Sequence, residues 1–252
     1  MHKILHTKNK RNIAYQYNKG QSSLGLIFFS GFNSDMYGNK AQFIFNWCIK
    51  NNIECTIFDY SGHGRSSEDF IDCDISMWIN DGLDIIDEIT LKPQIYIGSS
   101  MGAWIAIKIA LMRPQIVKGL ITIAAAPDFT NNFCEENLNK NQIHELNNKG
   151  YVNIKSNYDE KGYIITKNLI ESGNKNLILN NSLSSLNYPI KLIHGEKDKD
   201  VDWKKSLEIF NKIKSPNAEL ILIKGGDHRL SSEKNLITII ESVKSLIISL
   251  SH

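Results

Sequence analysis

Short apolar runs alternate with longer stretches in which apolar residues recur at helical spacing along most of the chain. Short runs bounded by turn residues are typical of buried strands, and the longer stretches are typical of amphipathic helices. The predicted strands are residues 3–7, 12–17, 24–29, 54–60, 94–97, 118–124, 189–193 and 219–223, and the predicted helices are residues 36–51, 75–90, 103–112, 203–214 and 232 onward. Strands that alternate with helices after an N-terminal hairpin predict an α/β fold with a mostly parallel central sheet and helices on both faces.

The alternation is interrupted between residues 128 and 186, where the sequence is polar and rich in asparagine. Apolar residues nevertheless recur in this segment, and helix-like pieces occur near 141–149 and 166–173, which makes a disordered insert the less favoured alternative. We therefore expect one domain, residues 1–252, with a small inserted cap at about 128–186 that lies over the sheet.

A Gly-x-Ser-x-Gly motif lies between the predicted strand at 94–97 and the predicted helix at 103–112, with Ser100 at its centre. In this context the motif is typical of a nucleophile elbow, in which a strained turn holds the serine hydroxyl clear of the sheet. Gly98 and Gly102 lack side chains, as the crowded turn requires. The N–H of Met101 is placed to stabilise an oxyanion at the helix start. The alternative is a glycine-rich turn with an incidental serine.

Two further strand ends carry the residues that a serine nucleophile needs. Asp198 follows the strand at 189–193, and His228 follows the strand at 219–223. The order serine, acid, histidine is that of a catalytic triad built on such a sheet, and the carboxyl ends of parallel strands meet at one edge. We expect Ser100, Asp198 and His228 to be catalytic. Asp200 and Asp202 remain alternatives for the acid, because a different loop register would exchange them.

Other polar residues near the strand ends are expected to have structural roles. Asp128 follows the strand at 118–124, at the position that some serine hydrolases use for the acid, but a helix cap or a turn residue is the favoured interpretation. His63 is expected to support the turn in which it lies, with lining of the pocket as the alternative. His194 precedes the acid and is expected to pack at the end of its strand. Asp227 directly precedes His228, so we expect its side chain to point away from the imidazole.

The loop after the strand at 24–29 is predicted to complete an oxyanion hole. Gly31 lets the chain turn there, and the backbone N–H of Phe32 is the second donor that we expect beside that of Met101. The Phe32 ring is also expected to line an apolar acyl pocket. Asn33 or Ser34 is expected to cap the helix that follows.

Composition argues against several classes of function. A formal net charge of +2 gives no electrostatic basis for binding nucleic acid or an anionic membrane surface. The four cysteines have no paired spacing, which predicts free thiols in a reducing compartment. The first residues lack the apolar core of a signal peptide, and no apolar run is long enough to span a membrane, so we expect a cytoplasmic protein. A monomer without metal or organic cofactor is the expected state.

Several segments of the chain match one family pattern. They are 30–36 (SGFNSDM), 38–41 (GNKA), 58–66 (FDYSGHGRS), 98–104 (GSSMGAW), 158–166 (YDEKGYIIT), 194–198 (HGEKD) and 227–231 (DHRLS). On these segments the chain resembles the α/β-hydrolase superfamily, and within it the small-cap esterases and thioesterases related to mitochondrial acyl-glucuronide esterase and palmitoyl-protein thioesterase. The resemblance covers nearly the whole chain and implies an α/β-hydrolase fold. Asn39, where threonine is more usual, and the asparagine-rich early cap depart from the family pattern.

The residues and the resemblance together predict a serine hydrolase that cleaves small carboxylic esters or acyl thioesters through an acyl-enzyme on Ser100. A perhydrolase or a carbon–carbon bond hydrolase would keep the same three residues, so both remain alternatives. A non-catalytic binding protein of the same fold is a further alternative. The expected partner is a small-molecule ester or thioester, and the sequence does not identify the residues that bind it.

Overall fold

The computed structural model describes residues 1–155, 162–180 and 182–250. Within these residues the strands are β1 (Lys3–His6), β2 (Asn12–Asn18), β3 (Gly25–Phe29), β4 (Glu54–Phe58), β5 (Gln94–Ser99), β6 (Val117–Ile123), β7 (Tyr151–Ile154), β8 (Tyr163–Thr166), β9 (Ile190–Gly195) and β10 (Ala218–Ile223). The helices are α1 (Asn39–Lys50), α2 (Ile75–Glu88), α3 (Met101–Met112), α4 (Phe133–Asn137), α5 (Lys140–Lys149), α6 (Lys167–Asn174), α7 (Lys204–Lys212) and α8 (Glu233–Ser249).

The main sheet of the described residues has the strand order β1-β2-β4-β3-β5-β6-β9-β10. Strand β2 pairs antiparallel with β1 and with β4, and the remaining neighbours pair in parallel. The prediction of a mostly parallel sheet that begins with a hairpin is therefore confirmed.

The sheet is buried on both faces, as the continuous apolar character of its central strands predicts. All five residues of β3 are buried. Ile27 and Phe29 pack in a core cluster with residues of α2 and α3, whereas Leu26 and Phe28 pack in a second cluster with residues of α1 and α8. Successive side chains of a strand point to opposite faces, so helices cover both faces of the sheet as predicted.

The parallel strands β3, β5, β6, β9 and β10 all have their carboxyl ends at the same edge of the sheet. The loop at 30–36 leaves β3 at this edge, the turn at Ser100 leaves β5, and the loops that contain Asp198 and His228 leave β9 and β10. The topology alone therefore brings four chain segments of interest together.

The chain between β6 and β9 leaves the sheet and forms α4, α5, the antiparallel hairpin β7-β8, and α6. Helices α5 and α6 were predicted from the sequence, but the hairpin was not. The segment is tied back to the sheet and its helices: the Asp128 carboxylate accepts hydrogen bonds from the N–H groups of Ile178 and Leu179, and the Trp104 indole donates to the carbonyl of Asn176. The expected cap includes residues 156–161 and 181, which lie outside the described residues, as does the 158–161 part of the family pattern.

Helix α1 begins later than the sequence suggests. Its N-cap is Gly38, which makes no side-chain capping hydrogen bond, so the expected capping by Asn33 or Ser34 is wrong. The residues before the helix form a separate turn, because the N–H of Ser34 bonds to the carbonyl of Gly31 and Asn33 has a φ of 53°. In the part of the chain that is described, no helix has both the length and the apolar character needed to cross a membrane.

Candidate active site

Ser100 lies in a strained turn between β5 and α3, with φ 55° and ψ −122°. A positive φ is unfavourable for a residue with a side chain and persists where the surrounding structure enforces it. The two glycines of the motif show why the turn is crowded. A Cβ atom on Gly98 would lie 2.5 Å from the Cα of Ala103, and a Cβ atom on Gly102 would overlap the carbonyl oxygen of Phe29.

Replacing Gly102 with alanine is expected to lower the free energy of unfolding by about 2 kcal/mol or more, since the added carbon must displace the backbone of β3. Urea denaturation followed by circular dichroism measures this change. Gly38→Ala is the matched control, because its φ of −61° suits alanine and its nearest neighbour would be a carbonyl oxygen 3.2 Å away. Equal stability of Gly102→Ala and wild type would contradict the crowded turn.

The structure brings the three residues expected to be catalytic together at the sheet edge. The His228 Nε2 atom lies 3.1 Å from the Ser100 hydroxyl oxygen, and its Nδ1 atom lies 2.7 Å from Asp198 Oδ2. The Asp198 side chain is fully buried, whereas 16% of the His228 side chain is exposed. This is the geometry in which a histidine can take a proton from a serine while a carboxylate holds its ring.

The neighbouring acids occupy different positions. Asp202 accepts a hydrogen bond from the N–H of Lys204 and stands at the start of α7. Asp200 is exposed and donates its backbone N–H to Asp198 Oδ1. Among the described residues, potential metal-ligand atoms of Asp198, Asp200 and His228 lie within 4.8 Å of one another. Asp198 and His228 already bond to each other, and exposed acidic side chains such as that of Asp200 are common where no metal ion is bound.

Asp198 is surrounded by hydrogen-bond donors. Its Oδ1 accepts the N–H groups of Asp200 and Val201, both at 2.9 Å. Its Oδ2 lies within hydrogen-bonding distance of His228 and of His194. Burial by itself raises the pKa of Asp198, but hydrogen bonds from His194 and His228 outweigh it and hold the pKa well below its usual range. The carboxylate is therefore ionised throughout the neutral pH range.

His194 was expected to pack at the end of its strand, and it does lie buried at the end of β9. The structure adds a contact that the sequence did not predict, because its Nε2 atom lies 3.0 Å from Asp198 Oδ2. The signal available in the sequence was the spacing of four residues between this histidine and the acid. That spacing has a clear meaning on a helix but none in a loop.

The loop after β3 passes directly over the nucleophile. A Cβ atom on Gly31 would lie 3.3 Å from the Cβ of Ser100, so the loop can approach this closely because Gly31 has no side chain. Phe32 follows in the loop, and Met101 follows Ser100 as the first residue of α3. The two backbone segments expected to provide the oxyanion hole therefore flank the serine. The carbonyl of Ser100 also accepts the N–H of Ala126 from the loop after β6.

The Phe32 ring anchors its loop in an aromatic cluster. It meets four aromatic rings edge-on at centroid distances of 5.2–6.0 Å, those of Phe70, Trp78, Phe129 and Tyr163. Such pairs add to the stability that burial gives. Because Tyr163 belongs to β8 and Phe129 to the loop after β6, the cluster joins the loop over Ser100 to the segment between β6 and β9.

His63 supports the same loop from the other side. Its Nε2 accepts the backbone N–H of Asn33 at 3.2 Å, and its Nδ1 lies 3.2 Å from the carbonyl of Ser61. Burial lowers the pKa of His63 to about 4, so at neutral pH the ring has one nitrogen free to accept. His63 therefore supports a turn, as expected, and it also holds Asn33, the residue that follows Phe32.

Lys40 holds the loop that carries His228. Its ammonium group donates to the carbonyl of Arg229, and burial lowers the pKa of Lys40 to about 8. On the other side of the histidine, the Asp227 carboxylate accepts the N–H of Leu230. Asp227 thus closes its own turn, in agreement with the expectation that it points away from the imidazole.

A cavity of about 830 Å³ opens beside Ser100. The apolar residues of its wall come from the loops after β3 and β6, from α4, from the β7-β8 hairpin and from the segment after α6; they include Phe32, Phe129, Phe133, Ile154, Tyr163, Ile165 and Leu179. The remaining wall is polar and carries charges of both signs, including Lys40, Glu136, Lys199, Asp200, Lys205 and Arg229. The space suits a ligand with an apolar part and a polar part.

The chain matches the serine aminopeptidase S33 family over residues 22–171. It is 34% identical over 249 residues to mitochondrial palmitoyl-protein thioesterase ABHD10 of Mus musculus, a match that covers 95% of this chain and 80% of that protein. The Homo sapiens protein of the same name is 34% identical over 242 residues, covering 95% of this chain and 78% of that protein. The structure of alpha/beta hydrolase domain-containing protein 10 from mouse superposes with a TM-score of 0.90 at 32% identity, covering 99% of both chains.

With its fold and its serine at the elbow, the protein is an α/β hydrolase, as predicted. More narrowly, the chain belongs to the serine aminopeptidase S33 family and is similar over nearly its whole length to the ABHD10 proteins. The predictions of a hydrolase and of this family resemblance are confirmed.

The predicted location is corrected by the same comparison. We expected a cytoplasmic protein, but the ABHD10 relatives that match 95% of the chain are mitochondrial proteins. The expectation rested on the first residues, on the lack of a long apolar run and on cysteines interpreted as free thiols. A mitochondrial targeting segment is removed from the mature protein and contributes nothing to the folded domain, so the features used for the prediction do not separate the two locations.

Proposed function

We propose that the protein is a serine hydrolase of carboxylic esters or acyl thioesters with Ser100 as nucleophile, His228 as general base and Asp198 as the acid of a catalytic triad. The observation that carries the proposal is the continuous contact from Ser100 to His228 at 3.1 Å and from His228 to Asp198 at 2.7 Å. The names of the ABHD10 relatives support the same chemistry, since they are palmitoyl-protein thioesterases.

In the first half of the reaction, Ser100 attacks the carbonyl carbon of the substrate and its proton passes to His228 Nε2. The carbonyl oxygen becomes an oxyanion, which accepts hydrogen bonds from the N–H groups of Phe32 and Met101. Each such donor contributes ~3 kcal/mol in comparable sites. The intermediate collapses when the bond to the alcohol or thiol breaks, and His228 returns the proton to the leaving group. An acyl-enzyme on Ser100 remains.

In the second half, a water molecule attacks the acyl-enzyme and His228 again takes the proton. Collapse of this intermediate releases the carboxylic acid and regenerates the Ser100 hydroxyl. Asp198 holds the imidazole in one tautomer and stabilises the imidazolium in both halves. No step in this scheme uses a metal or an organic cofactor.

The cavity supports a substrate with a modest apolar acyl group and a polar leaving group. Phe32, Phe129 and Tyr163 provide an apolar wall close to Ser100, whereas Lys199 and Arg229 belong to the polar wall. A space of about 830 Å³ suits a small molecule better than a polymer. The chemistry points the same way, because an amide has a poorer leaving group than an ester or thioester and demands stronger protonation.

Measured kcat/KM values for an ester, a thioester and an anilide with the same medium-length acyl group should rank the ester and thioester at least about a hundredfold above the anilide, a difference of about 3 kcal/mol in the barrier. Each substrate is assayed with wild type and with Ser100→Ala, which subtracts uncatalysed hydrolysis. Preference for the anilide would instead favour the aminopeptidase activity that the family description names. Hydrolysis of none of the three would refute the proposal.

A further inference from the structure

His194 lies behind the acid at the end of β9, and its side chain is fully buried. Its Nδ1 atom lies 2.7 Å from the hydroxyl oxygen of Ser206, a fully buried residue of α7. Its Nε2 atom lies 3.0 Å from Asp198 Oδ2 and 3.1 Å from the carbonyl oxygen of Val201. The ring therefore connects the interior of α7 to the carboxylate that faces His228.

The partners of Nε2 fix a proton on that atom of the His194 ring. A carboxylate oxygen and a carbonyl oxygen both accept hydrogen bonds, so the Nε2 atom that faces them must carry a proton. In a neutral imidazole the other nitrogen is then an acceptor, and the Ser206 hydroxyl can donate to it. Ser206 then donates to His194, and His194 donates to Asp198. The second of these hydrogen bonds ends on Oδ2, the same atom that His228 contacts.

We propose that His194 is a positioning residue for Asp198, and that the buried series Ser206, His194, Asp198 extends the catalytic triad into the core. This inference rests on the proposed function, since it assigns a role relative to the acid of that triad. His194 is not among the described residues that line the cavity beside Ser100. It acts through its hydrogen bond to Asp198, which fixes Oδ2 in place and withdraws electron density from that atom.

The hydrogen bond from His194 to Asp198 also affects His228, the proposed general base. Asp198 Oδ2 shares its negative charge between two imidazole N–H groups, so it stabilises a protonated His228 less than a carboxylate with a single imidazole partner would. Loss of the His194 hydrogen bond should therefore make His228 hold its proton to higher pH. Other charged groups near the pair are Asp200, which lies close to both Asp198 and His228, and Lys205 on α7, which lines the cavity. Asp227 and Arg229 adjoin His228 in the chain, and Lys40 binds the carbonyl of Arg229. None of these groups is changed in the variants below.

Two substitutions of His194 test the contacts of its two ring nitrogens separately. The amide nitrogen of glutamine reaches the position of Nε2 and can donate to Asp198, whereas the shorter amide of asparagine reaches the position of Nδ1 and can bond to Ser206. We expect His194→Asn to lower kcat about tenfold with KM little changed, and to move the acid limb of the kcat/KM profile up by about half a pH unit. We expect His194→Gln to keep wild-type kcat within about threefold and the acid limb at its original pH.

Ser206→Ala provides a second test that keeps the histidine. Removing the hydroxyl that polarises the ring makes Nε2 a weaker donor, so the acid limb should move in the same direction by a smaller amount. Ser215→Ala is the matched control, because Ser215 is also a buried serine whose hydroxyl donates one hydrogen bond, to the carbonyl of Tyr188. Thermal unfolding of every variant shows which ones fold, and Ser206→Ala decides the matter if neither His194 variant does.

An acid limb at the wild-type pH in His194→Asn and Ser206→Ala, with any loss of rate explained by lower stability, would overturn the positioning role. Equal loss of kcat in His194→Asn and His194→Gln would overturn it as well. Failure of the proposed function is recognised separately, because wild type would then be inactive or Ser100→Ala would remain active.

Discussion

Replacing Ser100 with alanine is expected to reduce kcat for ester or thioester hydrolysis by about three orders of magnitude or more. The substitution removes the oxygen that forms the acyl-enzyme, and loss of a triad nucleophile has effects of this size or larger in other serine hydrolases. Stability should change little, because alanine and serine have the same backbone preferences at the φ of 55° that the turn imposes. The measurement is kcat with an activated ester, beside a thermal melt of the same preparation.

A fluorophosphonate probe gives an independent reading of the same residue, since it reacts covalently with an activated serine. Wild type should be labelled on Ser100, and Ser100→Ala should not be labelled. Ser99→Ala, altered at the neighbouring buried serine, is the control and should be labelled like wild type. If Ser100→Ala retains more than about a hundredth of the wild-type kcat, the assignment of the nucleophile is wrong.

Asp198→Asn should be nearly as damaging, with a loss of kcat/KM of about three orders of magnitude. Each oxygen of Asp198 faces two N–H donors, those of Asp200 and Val201 on one side and those of His194 and His228 on the other. An amide has one oxygen, so either orientation of asparagine points its NH2 group at two donors. The substitution therefore leaves polar groups unpaired in a buried site, or forces His228 into the wrong tautomer.

Asp200→Asn is the matched control for the acid. The Asp200 side chain is exposed, and the hydrogen bond to Asp198 comes from its backbone N–H, which the substitution keeps. We expect kcat/KM within about fivefold of wild type, as for removal of one exposed charge. The pKa of Asp198 lies well below its usual range, so ionisation of this carboxyl group should not appear in the pH profile of wild type near neutral pH. A greater loss in Asp200→Asn than in Asp198→Asn would transfer the role of the acid.

The proximity of Ser100, Asp198 and His228 could be predicted from the sequence because each follows a recognisable buried strand. Parallel strands place their carboxyl ends at one edge, so the strand pattern carried information about residues as much as 128 positions apart. The approach of the loop at Phe32 was predictable for the same reason. The glycines at 31, 98 and 102 added evidence, since each one marks a close approach that a side chain would block.

Three features could not be predicted from the sequence, and the first of them is a side-chain contact within a loop. The bond between His194 and Asp198 depends on the path of the loop at 196–201, which no periodic pattern describes. The β7-β8 hairpin was missed because its strands are four residues each and lie in polar surroundings. The start of α1 was misplaced because Asn33 is held by His63 in a preceding turn, a contact between residues thirty positions apart.

The carboxylate of Asp128 has a consequence for how this enzyme could be altered. By binding the N–H groups of Ile178 and Leu179, it fastens the two ends of a fifty-residue excursion to each other at the sheet edge. With the ends held, the separation between them does not depend on what the intervening chain contains, and doubling the length of such a loop costs only about 0.6 kcal/mol in closure entropy. Segments of different length and composition could therefore be exchanged above the same strand ends. The segment between β6 and β9, which lines the cavity, could then change by evolution or engineering while the strand ends that carry the reacting residues stay the same.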